Sequence, residues 1–128
     1  MVPFILLQTS IPVKYSLLSS HGAHNQIFQA KDCGLPAYCF LNRHSGQAID
    51  VPSGTHTENV LLQQWTENDS TAQQWHVIRQ GNGAYKIVNV ASGLMDVRGG
   101  SRDEDAAVIQ FHDKNGSNQQ WYLTRVNA

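Results

Sequence analysis

The sequence predicts an all-β fold, either a barrel or a sandwich, and two observations lead to that prediction. The first is an internal repeat with a period of 46 to 47 residues. The second is a series of short segments rich in aromatic and β-branched residues, separated by turn residues about every ten positions. No segment of the repeats shows the periodicity of an amphipathic helix, so strands and turns remain as the building elements.

Two copies of a Gln-Gln-Trp triplet mark the repeat. Trp75 and Trp121 end the triplets and lie 46 residues apart. Residues 50–79 laid over residues 96–125 without a gap share nine identities in thirty pairs. Upstream, further matches occur at a spacing of 47 residues: Tyr38, Asn42 and Ser45-Gly46 with Tyr85, Asn89 and Ser92-Gly93.

Each copy is predicted to contain four strands bounded by turn residues. The first 37 residues match the repeat less well, lack the triplet and contain three apolar runs that predict up to three more strands. The predicted strands are 37–42, 48–51, 60–65 and 75–79 in the first copy, 84–89, 94–97, 107–112 and 121–125 in the second, and the apolar runs 4–7, 13–18 and 27–28 before them.

The composition limits the kinds of molecule that the protein is expected to bind. The net charge of −1 argues against a general electrostatic grip on nucleic acid or acidic lipid. The 12 Gln and 9 Asn residues together outnumber the 19 charged residues, and amides suit neutral polar ligands. The apolar run 4–7 is too short to span a bilayer and lacks the flanks of a signal peptide, so we expect a cytosolic or unconventionally released protein without membrane insertion.

Catalytic, cofactor and metal sites are not predicted. His21 and His24 are three residues apart, but no second pair has metal-ligand spacing, and no motif indicates a nucleophile, a phosphate loop or a cofactor. The acidic run 103–105 is expected to be a solvated loop. Cys33 and Cys39 either pair in a small loop or remain free thiols. We therefore expect a protein that is not an enzyme.

The Asp-Val pair, the aromatic residue and the closing Gln-Gln-Trp resemble the ricin B-type lectin family. In that family three repeats, each ending in Gln-x-Trp (the QxW repeat), build a β-trefoil with a pseudo-threefold barrel. The resemblance covers residues 38–128 and implies that the tryptophan of each triplet is a core residue rather than a ligand stacker. It implies a single domain made of a degenerate repeat at 1–37 and two clear repeats at 38–84 and 85–128.

A sugar site needs an aromatic face for the C–H groups of the ring and polar side chains that bridge hydroxyls. By resemblance, Asp96 is expected to bind hydroxyls and Phe111 to stack on the ring in the second copy. The other contacts implied there come from Asn118, from Gln119 as support for the aspartate, and from His112 at the rim. The corresponding set in the first copy is Asp50, Trp65, Gln63 and Gln73.

Each copy departs from the family pattern at one position. Ala72 stands where the first copy is expected to have Asn, and Ile109 stands where the second copy is expected to have Gln. We expect each departure to remove one amide from its site. No site is predicted in residues 1–37.

The resemblance implies a lectin for galactose or N-acetylgalactosamine-type glycans, in which two sites per chain raise avidity and a homodimer adds further sites. A partner chain that completes the short first repeat is a less favoured arrangement. Two alternatives stay open. In the first, the chain is a β-trefoil protein-interaction or inhibitor module, and its aspartates cap turns. In the second, it is the binding module of a larger toxin or glycosidase. The start at Met1 and the absence of a linker argue weakly against the second.

Overall fold

The computed structural model describes residues 4–9, 27–34, 37–100 and 107–126. Within them lie eleven strands and four single 3-10 turns, and no helix in this part of the chain is long and apolar enough to cross a bilayer. The strands are β1 (Phe4–Thr9), β2 (Ile27–Asp32), β3 (Ala37–Asn42), β4 (Ala48–Asp50), β5 (Val60–Leu61), β6 (Gln63–Trp65), β7 (Trp75–Arg79), β8 (Tyr85–Asn89), β9 (Leu94–Val97), β10 (Val108–Phe111) and β11 (Trp121–Val126).

Six strands pair in a closed antiparallel ring. β8 pairs with β11, β11 with β1, β1 with β2, β2 with β3, β3 with β7, and β7 with β8. Closure removes the free edges that an open sheet would present. Two arms extend from the ring, one formed by β4 and β6 next to β3, the other by β9, β10 and β5 next to β8. The predicted all-β barrel is confirmed.

The strand predictions agree with the structure except at one place. Residues 60–65, predicted as one strand, form β5 and β6 with different partners: β5 pairs with β10 of the following repeat, and β6 pairs with β4 of its own. Between them the Leu62 N–H donates to the Val108 carbonyl at 3.0 Å. The apolar runs 4–7 and 27–28 lie in β1 and β2, whereas residues 13–18 lie outside the described part of the chain.

The core repeats the symmetry of the sequence. Trp75 and Trp121 are fully buried, as predicted, and each indole N–H donates to the carbonyl of the residue before an aspartate, at 3.2 Å to Ile49 and 3.1 Å to Met95. A buried indole therefore has its polar atom satisfied while its rings fill the barrel. Around these two rings pack Phe28, Phe40, Ile49, Val51, Ala72, Ile87, Met95, Val97 and Val108.

The two cysteines are free thiols at the hairpin between β2 and β3. Cys39 is buried, and burial together with the neighbouring Cys33 thiol raises its pKa to about 12. The Cys39 thiol is therefore protonated at neutral pH and a poor nucleophile.

Replacing Trp75 by Ala tests the packing role of the triplet tryptophan. We expect the free energy of unfolding to fall by about 3–5 kcal/mol, because the change removes a fully buried ring and leaves a cavity. Trp65→Ala is the matched control: the Trp65 side chain is 54% exposed, so its loss should cost less than about 1 kcal/mol. Urea denaturation followed by circular dichroism measures both, and equal losses would contradict the assignment of Trp75 to the core.

Candidate functional site

Two aspartates occupy equivalent places in strands β4 and β9 of the two copies. Asp50 ends β4 and Asp96 lies in β9, and both are buried, with 4% and 3% exposure. A valine and a 3-10 turn follow each aspartate, Pro52–Gly54 in one copy and Arg98–Gly100 in the other. The middle residue of each turn has a positive φ, so the chain bends sharply away and a pocket opens beside the carboxylate.

The first glutamine of each triplet holds its aspartate. Gln73 Nε2 donates to Asp50 Oδ2 at 2.9 Å and to the Thr66 carbonyl at 2.9 Å. Gln119 Nε2 donates to Asp96 Oδ2 at 2.9 Å and to the His112 carbonyl at 2.7 Å. Both glutamines are fully buried and hold the carboxylates by these hydrogen bonds, and their part in sugar binding stays a prediction.

A second amide reaches the other carboxylate oxygen, and it comes from a different position in each copy. Gln63 Nε2 donates to Asp50 Oδ1 at 3.0 Å. Asn118 Nδ2 donates to Asp96 Oδ1 at 3.2 Å and to the Val97 carbonyl at 3.0 Å. Each carboxylate thus has one amide donor on each oxygen.

Each departure from the family pattern therefore affects its own site, and each site keeps the amide that the other lacks. Ile109 pairs across the strands with Asp96, as Gln63 does with Asp50, and brings no donor. Ala72 brings none in the other copy. Each departure thus leaves its position without an amide donor, as expected, and each carboxylate still has two side-chain donors.

We call the pocket lined by Asp50, Gln63, Trp65 and Ala72 the Asp50 site, and the pocket lined by Asp96, Ile109, Phe111 and Asn118 the Asp96 site, each with its buried glutamine behind the aspartate. The cavities measure about 460 and 490 Å³. These volumes lie in the range of small-ligand pockets.

An aromatic ring lies at the mouth of each pocket. Trp65 is 54% exposed at the Asp50 site. Phe111 is half-buried at the Asp96 site, where Lys114 Nζ lies 5.0 Å from the centre of its ring. The exposure of Trp65 distinguishes it from the buried tryptophans of the triplets and leaves its ring accessible.

His112 lies beside the Asp96 site rather than in its wall. Its ring stacks on Phe111 at 4.6 Å between centroids, and its Nδ1 pairs with the Glu58 carboxylate. Its side chain lines a smaller neighbouring cavity together with His56 and Glu58. The imidazole therefore packs against Phe111, and the rim contact expected from the sequence stays a prediction.

Several residues in the wall of the Asp96 site were not predicted from the sequence, among them Asn59, Arg98 and Lys114. Asn59 belongs to the preceding repeat and is brought over by the pairing of β5 with β10. Arg98 Nε donates to Asn59 Oδ1 at 2.9 Å, and Arg98 Nη2 donates to the Asn59 carbonyl at 3.0 Å. A comparison confined to one repeat has no signal for such a contact between repeats.

Metal binding finds no support in the described part of the chain, where no group of three or more His, Cys, Asp or Glu side chains has the geometry to hold an ion. His21, His24 and the acidic run 103–105 lie outside the described residues.

The electrostatics of Asp96 follow from its burial. Desolvation raises the pKa of Asp96 above its ordinary value of 3.8. The hydrogen bond from Gln119, the positive charge of Lys114 and the hydrogen bond from Asn118 oppose that rise by favouring the ionised form. The amide donors and the nearby cation therefore favour the ionised form of Asp96, which burial disfavours.

Comparison with known proteins gives a family and a fold. Residues 24–111 match the model of a family described as ricin-type beta-trefoil lectin domain-like. No curated protein matches the sequence. The chain is similar to ThreeFoil, a designed 3-fold symmetric protein, with 27% identity and a TM-score of 0.86 over 96% of this chain and 99% of that one.

Two natural proteins have similar structures. An exo-beta-1,3-galactanase from Clostridium thermocellum is 27% identical, with a TM-score of 0.87 over 97% of this chain, and the chain spans only 30% of that enzyme. The Rhizoctonia solani agglutinin is 17% identical, with a TM-score of 0.82 over 98% of this chain and 96% of that one, a likeness of fold. The predicted β-trefoil is confirmed by these structures.

Moving the second amide donor of the Asp50 site from position 63 to position 72 tests whether the two sites hold their aspartates equally well. Gln63→Ile leaves Asp50 with one side-chain donor, and we expect the free energy of unfolding to fall by about 1–2 kcal/mol, since a hydrogen bond to a buried charge is lost. Adding Ala72→Asn supplies the donor used at Asp96 and should restore most of that loss. Urea denaturation measures both variants; a double variant no more stable than Gln63→Ile would contradict the equivalence.

The pKa of Asp96 gives a second test. Because the folded state raises this pKa, the folded protein takes up the proton at a higher pH than the unfolded chain, and the cost of the buried charge is relieved as the pH falls through the folded pKa. We expect a carboxyl carbon titration by NMR with its midpoint above 3.8. Lys114→Asn should raise the midpoint further by removing a favourable charge. A midpoint at or below the ordinary value would contradict burial as the dominant influence.

Proposed function

The chain belongs to the ricin-type β-trefoil lectin domain-like family, and we propose that it binds carbohydrate at both the Asp50 site and the Asp96 site. The family and the agglutinin of the same fold support a carbohydrate-binding role. The observation that carries the assignment to these two places is a buried carboxylate, held on both oxygens by amides, beside an aromatic ring at the pocket mouth.

The fixed carboxylate suits sugar hydroxyls. A carboxylate has about four acceptor positions, and the two amide donors at each aspartate use one on each oxygen. The remaining lone pairs can accept from two neighbouring hydroxyls, in charge-assisted hydrogen bonds that are stronger than neutral ones. Because the amides hold the carboxylate in place beforehand, little side-chain entropy is lost when a sugar binds.

Galactose and N-acetylgalactosamine are the sugars we propose. The axial 4-hydroxyl of galactose leaves an uninterrupted patch of C–H groups on one face of the ring, which fits the flat surface of Trp65 or Phe111. The same hydroxyl and its neighbour point away from that face, where Asp50 or Asp96 can accept from both. The similarity to part of a galactanase is in line with this proposal.

We propose binding without catalysis. Glycoside hydrolysis uses two carboxyl groups roughly 5–9.5 Å apart around one bond. Among the described residues that line the two pockets, each pocket has a single carboxylate, Asp50 in one and Asp96 in the other. Two sites on one chain also allow it to bridge two glycans, and bivalent attachment raises avidity by about 10²- to 10⁴-fold where the geometry permits.

Replacing each aspartate tests the proposal. We expect Asp96→Asn and Asp50→Asn each to weaken glycan binding at its own site by about 10- to 100-fold, since a charge-assisted hydrogen bond to a hydroxyl is lost. The double variant should bind no galactose-terminated glycan. A glycan array followed by calorimetry with methyl galactoside measures these effects, with circular dichroism to verify folding.

Asp32→Asn is the matched control, because Asp32 is exposed, lies outside both pockets, and its role in accepting from the Gly34 N–H can pass to asparagine. A double variant that binds glycans like the wild type would refute both sites. A folded wild type that binds no glycan would favour the protein-interaction alternative. Agglutination that survives either single variant would indicate a homodimer.

A further inference from the structure

The two pockets carry opposite net charge. Among the described residues that line the Asp96 site, two cations, Arg98 and Lys114, stand against one carboxylate, which gives a net charge of +1. Among the described residues that line the Asp50 site, Asp50 is the one with a charged side chain, which gives a net charge of −1. Two pockets built on one repeat thus present different fields to a ligand.

The two cations occupy positions that hold neutral residues in the other copy of the repeat. At the repeat spacing of 46 residues, Lys114 corresponds to Asn68, and Arg98 corresponds to Pro52. Both counterparts also line their pocket. The same two wall positions are therefore neutral in one site and positive in the other, so the difference belongs to the pocket wall and not to the fold.

Among the described residues, the nearby carboxylates are paired with other groups. Glu58 pairs with His112, and Asp113 pairs with Lys86 at 2.8 Å. Within the described residues, neither Arg98 nor Lys114 forms a salt bridge with a carboxylate. Of the two cations, Lys114 interacts electrostatically with Asp96 in the pocket.

The two cations are placed to meet a ligand. Arg98 is oriented by its two hydrogen bonds to Asn59, which is a neutral partner and leaves the charge uncompensated. Lys114 Nζ lies over the ring of Phe111, where a stacked sugar would arrive, and a flexible lysine can move aside to contact a substituent of that sugar. A planar guanidinium and a mobile ammonium are the groups that recognise sulfate and carboxylate oxygens.

We propose that the Asp96 site selects glycans that carry an oxyanion, as a sulfate ester or a carboxylate, on or next to the galactose-type ring, whereas the Asp50 site takes neutral glycans. This inference rests on the proposed sugar binding and adds a substrate class to one of its two sites. Lys114 and Arg98 are the residues that determine the specificity, and Asp96 and Phe111 hold the ring in either case.

The expected selectivity is modest. Ion pairs at exposed positions contribute little each, so two cations should favour an anionic galactoside over its neutral parent by about 3- to 10-fold. Salt screens such pairs, with a screening length of about 10 Å at 0.1 M and about 3 Å at 1 M, so the preference should shrink as salt is added.

Calorimetry on the Asp50→Asn protein isolates the Asp96 site. The ligands are methyl galactoside, a sulfated methyl galactoside and a sialylated galactoside, which separate the sulfate source from the carboxylate source. We expect tighter binding of at least one anionic ligand, lost in Lys114→Asn/Arg98→Gln. Lys31→Asn is the control for net charge, because Lys31 lies outside both pockets, and it should leave the preference intact.

A variant of the Asp50 site gives a second test that does not depend on how the Asp96 site folds. In the Asp96→Asn protein only the Asp50 site should bind galactoside. Adding Asn68→Lys to that protein should create a preference for the anionic ligand. Galactoside binding at the Asp96 site with no anionic preference, or a preference that survives loss of both cations, would overturn this inference and leave the proposed function standing. An Asp50→Asn protein that binds none of the three ligands would overturn sugar binding at the Asp96 site itself.

Discussion

The structure depends on two hydrogen bonds by which each Gln-Gln-Trp triplet is fastened to the strand that carries its aspartate. The tryptophan N–H donates to the carbonyl of the residue before the aspartate, Ile49 or Met95, and the first glutamine donates to the carboxylate itself. One end of this clamp is the largest side chain of the core and the other end is the pocket. The position of each carboxylate is thereby set by the packing of the barrel, which is rigid because protein interiors are close-packed.

The same clamp accounts for the chemistry of the aspartate. A carboxylate with 3% exposure is costly unless it is hydrogen-bonded, and the raised pKa of Asp96 records part of that cost. Two amides satisfy some of its acceptor positions and leave others directed to the pocket. A site that is partly desolvated and already oriented loses less on binding a ligand than a mobile surface carboxylate would.

The sequence predicted those parts of the fold and the site that recur within one repeat. Strands β3, β7 and β9 have the predicted bounds, and the roles of Trp75 and Gln73 follow from the triplet because both copies repeat the same local contacts. Contacts between repeats were not predictable in this way. The division of residues 60–65 into two strands and the placement of Asn59 at the Asp96 site both arise from pairing with β10, which a comparison within one repeat does not contain.

The two sites differ at positions where a substitution changes the stability of the fold least. The aspartates and the first glutamine and tryptophan of each triplet are buried and identical in both copies, since a change there would leave an unsatisfied polar group or a cavity in the barrel. The second amide can shift from position 63 to position 118 because either donor reaches the same carboxylate oxygen. Arg98 and Lys114 are exposed, where substitutions usually change stability by less than about 0.5 kcal/mol. Because the rim can vary above a fixed carboxylate, the two copies of one repeat form pockets whose walls differ in charge.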